Sequence, residues 1–364
     1  MRTNVGGKMK DIHVLCGGQS TEHEISLRSA WQIINQLDKE KYNVSMTFIT
    51  KDGRFVPLGH FKEKIESPEA LMREAFLSKQ ESIMQFIDFI NTLNDPIVIP
   101  VIHGTTGEDG QIQGFLRTLG LRFVGNGILS SSVCWDKATT NYLFEAHGIP
   151  QARFFVLEKH RYERDIDKNS LVANIIDVCG ESVFVKPSGN GSSVGVNRAN
   201  RETLVDALEE AFLYDNKIVI EAEVSGVELE VSVLGNEQIK ASLAGSYETK
   251  RAVFDYTAKY QDDQTIRHLP HQLPETQMDQ VRELAMDAYQ ATGCEGFARV
   301  DIFMTDQGNF YVNEINTFPG MTLTSLSADL WSQTDGTNYS GLLDQLINLA
   351  EEKFAQEVKI KRGI

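Results

Sequence analysis

No stretch of this 364-residue chain approaches the ~20 consecutive apolar residues that a membrane helix needs, so a helical membrane protein is excluded. The opening MRTNVGGKMK lacks the hydrophobic segment of a signal peptide. Residues 1–10 are expected to be a disordered leader. Cysteine is scarce: Cys16, Cys134, Cys179 and Cys294 show no C-x-x-C spacing. Neither a disulfide framework nor a zinc ribbon is expected, and a reducing, cytoplasmic location fits. Basic residues are short as well, 35 Lys and Arg against 51 Asp and Glu, for a net charge of −16. Binders of nucleic-acid backbones rest on clustered Lys and Arg, so that partner class is excluded. A small anion in a local basic pocket is not.

Some familiar motifs are missing too. The Gly7-Lys8 pair is followed by Met9, so there is no Walker A loop, and no G-x-G-x-x-G follows the first apolar run. His23-Glu24 starts like a zinc-protease motif, but Leu27 stands where the second histidine belongs.

What is present is ordinary globular composition, 41% apolar and 24% charged, over a length worth two or three domains of about 150 residues. Strands and helices alternate through the first third, which argues for an open α/β sheet. Ile12–Cys16 is an apolar run ending at Gly17-Gly18, helical spacing follows from Ser26, and Ile97–Ile102 reads as a buried parallel strand. Ligands of such sheets bind beyond the carboxyl ends of strands, where Gly17-Gly18 and HGTTGEDG (103–110) both fall. Farther on, Lys137 to His147 reads as a helix closed by Gly148 and Pro150. A polar stretch from Thr249 to Gln272 is long enough for a lid.

Two segments carry chemistry on their residues alone. In the hairpin FARVDIFM–DQGN–FYVNEIN, alternation puts Arg299 and Asp301 on one face and Glu314 and Asn316 on one face. If the polar faces coincide, Asp301, Glu314 and Asn316 form a hard-oxygen set suited to Mg²⁺ or Mn²⁺. The alternative is an amphipathic hairpin with its polar face in solvent. The loop Pro187–Ser193, which follows Lys186, offers backbone N–H groups to phosphate oxygens, or is a flexible connection. Gly191–Gly195 also satisfies G-x-S-x-G, the serine-hydrolase elbow. Six residues separate the preceding strand from Ser193, however, and no apolar helical period follows. Glu221 and Glu228, taken alone, read as solvated acids.

Together these segments resemble the D-alanine–D-alanine ligases of the ATP-grasp superfamily. The match runs in order from Val14 to about Leu326: GGQSTEHEIS (17–26), HGTTGEDG (103–110), DK (136–137), FVKPSGNGSSVGV (184–196), IEAEVSGVELEV (220–231), YTAKY (256–260), GFARVDIF (296–303) and NEINTFPGMTLTSL (313–326). The resemblance implies a three-domain α/β architecture, with an N-terminal open-sheet domain (11–135) carrying the first D-alanine site. A central subdomain (136–223) and a C-terminal subdomain with lid and metal site (224–364) would clasp ATP between them. It gives Lys137 and Lys186 the ATP phosphates and Ser193 the phosphate loop. Glu221 and Glu228 fall to adenine and ribose, Glu223 and Val224 to the hinge, and Asn313 and Lys259 to the same nucleotide site. Asp301, Glu314 and Asn316 match ligands of two magnesium or manganese ions. Glu22 matches the acceptor of the first D-alanine's ammonium, with Ser192 and Tyr260 as its companions and His103 at the substrate. Arg299 and the Gly320 N–H would stabilise an oxyanion, and Ser325 and Leu326 would place the second carboxylate. The implied activity is ATP-dependent D-alanyl-D-alanine synthesis for peptidoglycan by a homodimer, the alternative being a D-lactate or other carboxylate–amine ligase. The sequence departs from the family at Trp135, Phe318 and Thr324, and none of these removes a charged role.

Overall fold

The computed structural model describes residues 9–164, 167–248 and 265–360, arranged around sheets of five, four and six strands. Residues 1–8 of the expected leader lie outside this range, and Lys10 already opens the first strand.

That strand, Lys10–Gly17, runs parallel between Tyr42–Ile49 and Ile97–Val101. Arg122–Phe123 extends the sheet in parallel, and Phe55–His60 closes the other edge in antiparallel pairing. The chain leaves Lys10–Gly17 toward one neighbour and returns later to the other. The two strands at this reversal therefore release their following loops side by side, the usual place for a ligand in an open α/β sheet. Those loops are 18–22 and 102–110.

Central strands buried on both faces read as continuous apolar runs, and every residue of Lys10–Gly17 after the first is buried. His13 is the polar exception, fully buried, with Nδ1 2.8 Å from Ser45 Oγ and Nε2 3.0 Å from Thr47 Oγ1. Burial, helped by nearby His60, lowers its pKa from 6.5 to about 3. The folded chain thus keeps His13 neutral while the unfolded chain takes up a proton below about pH 6.5, so stability falls as pH drops through that range. His13→Gln should blunt this. Between pH 7 and pH 5 the wild type should lose about 2 kcal/mol more than the variant, read by urea unfolding at both pH values.

The second sheet is antiparallel, ordered Phe154–Glu158, Lys217–Ala222, Ser182–Pro187, Asn197–Asn200. Helices Lys168–Cys179 and Leu204–Ala211 bury their apolar faces on it. The third sheet centres on Val227–Gly235, which pairs with Gly296–Met304, itself paired with Phe310–Asn316. Helix Glu275–Ala291 covers its apolar face. The final helix, Tyr339–Val358, belongs by sequence to the C-terminal segment. Yet Leu342, Leu343, Leu346 and Ile347 pack with Ile12, Val14 and Ile99 of the first sheet. Spacing shows that this helix has one apolar stripe. Only the tertiary structure says which sheet the stripe covers.

Candidate active site

All three sheets contribute to one cleft. Loops 18–22 and 102–110 bring Glu22, His103 and Glu108 to a small cavity of about 100 Å³, closed by Trp135, Arg299 and Gly320. It opens into a larger cavity of about 600 Å³ lined by Lys186, Glu221, Glu223, Val224, Glu228 and Asn313. Lys137, Asn190–Ser193 and Glu314 line both and so form the wall the two share.

The hairpin register decides between the two readings of its polar face. Arg299 lies opposite Asn316 and Asp301 opposite Glu314, while Val300 and Ile315 turn to the core. The polar face is therefore inside, with Asp301 only 1% exposed. A bulge then inserts Asn313 between the partners of Asp301 and Ile302. Strict alternation would send Asn313 to the face opposite Glu314, but a bulge lets two successive residues face the same way. Asn313 accordingly takes a hydrogen bond from Lys186 Nζ at 3.2 Å and donates to Glu228 at 2.9 Å. On the neighbouring strand Glu230 lies opposite Asp301, so Glu230, Asp301 and Glu314 form a row of carboxylates across the sheet. Arg299 answers two of them, gripping Asp301 through Nε at 2.6 Å and an Nη at 2.7 Å, with Glu230 at 3.4 Å. Asn316 Nδ2 donates to Asp301 at 3.0 Å.

The lysines are placed as precisely by their partners. Lys186 Nζ reaches Glu221 at 2.6 Å, and Asn141 donates to the other oxygen of that carboxylate at 2.8 Å. Burial alone would lower the Lys186 pKa, but Glu221, Glu314 and Glu228 outweigh it and hold the ammonium above its ordinary value. Lys137 donates to the Asn190 carbonyl at 2.9 Å and stands 3.3 Å from Glu314. The loop it anchors places Ser192 and Ser193 at φ of +52° and +58°. Non-glycine residues reach that region at a cost of roughly 1 kcal/mol or more each, and such strain gathers at ligand clamps. Glu22 meets the same loop from the other side. A Cβ on Gly104 would lie 2.7 Å, and one on Gly191 3.2 Å, from its carboxylate. Burial raises the pKa of Glu108, an effect His103 partly offsets.

The chain matches the family models described as D-ala D-ala ligase N-terminus over residues 11–126 and C-terminus over 143–348. It is 42% identical to a D-alanine–D-alanine ligase of Finegoldia magna, across 97% of this chain and 99% of that one. The chain belongs to the D-alanine–D-alanine ligase family. Among solved structures, the D-alanine–D-alanine ligase of Coxiella burnetii superposes with a TM-score of 0.78 at 34% identity, covering 96% of this chain and 97% of that one. The VanG D-Ala:D-Ser ligase of Enterococcus faecalis does so at 0.77 and 28%, covering 94% and 100%. The expected ATP-grasp fold class is borne out by these neighbours.

Not every residue assigned from the family resemblance falls at the cleft of this ligase. Ser325 lines neither cavity. It precedes helix Leu326–Asp335 and takes hydrogen bonds from Thr322 N at 3.1 Å and pairs with Thr322 Oγ1 at 2.9 Å. Leu326 also lines neither cavity and is 1% exposed, in the core. The carboxylate of Glu223 turns to Ser182 and Arg198. Lys259 and Tyr260, with most of the expected lid, lie outside the described residues. Sequence reasoning missed Glu230, although Glu228 and Glu230 alternate with buried Leu229 and Val231 and so share the polar face. Trp135 was noted only as a departure. Its indole Nε1 lies 3.0 Å from where a Cβ on Gly189 would be, so it forms part of the seat of the glycine-rich loop.

Proposed function

We propose that this ligase joins two D-alanines into D-alanyl-D-alanine while ATP is cleaved to ADP and phosphate, supplying a peptidoglycan precursor in the cytoplasm as a homodimer. The observation that carries the reading is the pair of confluent cavities of unequal size, about 600 and about 100 Å³, meeting at Lys137, Asn190–Ser193 and Glu314. The larger is in the range of nucleotide sites, of order 300–1,000 Å³. The smaller suits a small amino acid, and the phosphoryl group would pass between them at the shared wall.

In this reading Lys137 and Lys186 grip the phosphates, with Ser193 in the phosphate loop. Glu221, Glu228, Asn313 and the Glu223–Val224 hinge hold the nucleoside. The fit of a metal can be judged from the donors. Asp301, Glu314 and Asn316 offer hard oxygens, and Mg²⁺ commonly binds through one or two carboxylates plus substrate phosphates. Two Mg²⁺ or Mn²⁺ ions bound there would neutralise charge on the phosphates.

Glu22 receives the ammonium of the first D-alanine, beside His103 and Ser192. The carboxylate of that D-alanine attacks the γ-phosphoryl group, forming a D-alanyl phosphate and ADP. The amine of the second D-alanine then attacks the acyl carbon and phosphate leaves. Arg299 and the Gly320 N–H stabilise the oxyanion of that step. The N-terminus of helix Leu326–Asp335, opened by Ser325, suits the second carboxylate because its first N–H groups have no intrahelical acceptor. Trapping water out of the cleft protects the acyl phosphate from hydrolysis.

The test is ADP release driven by D-alanine, with mass detection of the product. D-alanyl-D-alanine should dominate when D-alanine, D-serine and D-lactate are offered together at equal concentration. A prevailing D-alanyl-D-serine or D-alanyl-D-lactate product would overturn the assignment of the second substrate.

A further inference from the structure

The Gly320 N–H acts as an oxyanion donor only if its segment is held still, since a misplacement of about 1 Å can cost on the order of 10²-fold in rate. Phe318–Met321 belongs to no helix or strand, and Pro319 has no N–H to anchor it. Something else must fix it.

We infer that Ser29 and Tyr339, neither of which lines the cleft, are positioning residues that hold the Gly320 N–H in place, working with His103 through hydrogen bonds to both ends of Phe318–Met321. At the start of the segment, His103 Nδ1 lies 3.1 Å from the Phe318 carbonyl. A carbonyl only accepts, so Nδ1 carries the proton. In the neutral ring Nε2 is then an acceptor, and it lies 3.2 Å from Ser29 Oγ. The Ser29 hydroxyl donates to Nε2, and its oxygen accepts from the Met321 N–H at 3.2 Å. The circuit closes around Gly320: Met321 N–H to Ser29, Ser29 to His103, His103 to the Phe318 carbonyl.

Tyr339 completes the clamp by donating to the Met321 carbonyl at 2.6 Å. Burial pushes the pKa of its phenol well up, so the hydroxyl stays protonated as a donor. Ser29 is fully buried on helix His23–Gln36, His103 follows strand Ile97–Val101, and Tyr339 opens the final helix. The segment is therefore fixed to the layer that carries Glu22, although its chain continues the hairpin that carries the acidic row. The circuit sets the distance between the amino-acid site and the oxyanion donor across two sheets.

This inference rests on the proposed two-step reaction, in which only attack by the amine places negative charge on the carbonyl oxygen. Phosphorylation of the first carboxylate does not, so loosening the clamp should slow the second step alone. The experiment compares the wild type with Ser29→Ala and Tyr339→Phe, each losing one hydroxyl. Dipeptide formation is measured beside exchange of ¹⁸O between the βγ-bridge and β-nonbridge positions of ATP, which reports reversible acyl-phosphate formation. Dipeptide formation should fall about tenfold in each variant, and the ratio of exchange to dipeptide formation should rise by a similar factor. A purely structural defect would lower both rates together, and that outcome, or no change in either, overturns the positioning role. Should one variant fail to fold, the other decides alone. A wild type without D-alanine-dependent ADP release would overturn the underlying reaction as well, whereas parallel loss in the variants of an active wild type overturns only the clamp.

Discussion

Glu314→Gln should lower D-alanine-dependent ADP release by about 10³-fold while shifting the thermal unfolding midpoint little. The expected loss corresponds to about 4 kcal/mol, in keeping with the several kcal/mol of transition-state charge stabilisation that a bound divalent ion supplies. Among the described residues Glu314 is the one carboxylate that lines both cavities, and it faces Asp301 across the hairpin. Glutamine keeps the shape of the side chain and its place in the strand, and removes only the charge. The folded state has little to lose. The side chain is 31% exposed, its 3.3 Å contact with Lys137 is a partly exposed ion pair worth about 1 kcal/mol, and Lys186, whose ammonium it helps to hold, keeps Glu221 at 2.6 Å. Removing one of two like charges set opposite each other across strands also relieves repulsion. Steady-state ADP release across a Mg²⁺ titration, beside a melting curve, separates these effects. Full activity in the variant would sink the metal assignment, and a collapse of the midpoint would mean that Glu314 holds the fold.

The sequence made the hairpin legible because strand alternation has a period of two, and Arg299, Asp301, Glu314 and Asn316 keep that period. It could not show that Asn313 joins them, because a bulge is a local departure from the alternation on which the reading rests. The Lys186–Glu221 contact spans 35 residues and depends on two antiparallel strands lying side by side. Spacing along the chain carries no trace of it. Motif resemblance supplied what patterning lacked, because the matching segments within the described residues fall on the loops and strands that line the two cavities. It was silent on Ser29 and Tyr339, which hold the backbone of a neighbouring loop, Ser29 with the help of His103. Each is a single polar residue near an apolar stripe, and from sequence alone that pattern reads as a satisfied core hydroxyl. The final helix is a similar case. Its stripe of leucines is plain in the sequence, but an apolar stripe does not name the sheet it will cover.

Arg299→Met should be costly in two ways that can be measured apart. The guanidinium holds Asp301 through two hydrogen bonds and stands 3.4 Å from Glu230, carboxylates 1% and 5% exposed. Removing one partner of a buried ion pair leaves uncompensated charge, a loss of about 3–5 kcal/mol that should appear as a lower unfolding midpoint. Activity should fall by a further factor of roughly 10² to 10³ among molecules that remain folded, because one of the two proposed oxyanion donors is gone. Arg299→Lys separates the contributions. It restores a positive charge beside Asp301 and Glu230 but lacks the planar fork that engages Asp301 through two nitrogens. Part of the stability should therefore return with the lysine, while dipeptide formation stays depressed relative to ATP isotope exchange. A methionine variant as stable as the wild type would show that the carboxylate row does not depend on Arg299. A lysine variant with full dipeptide synthesis would show that positive charge alone, without the fork, is enough for the oxyanion.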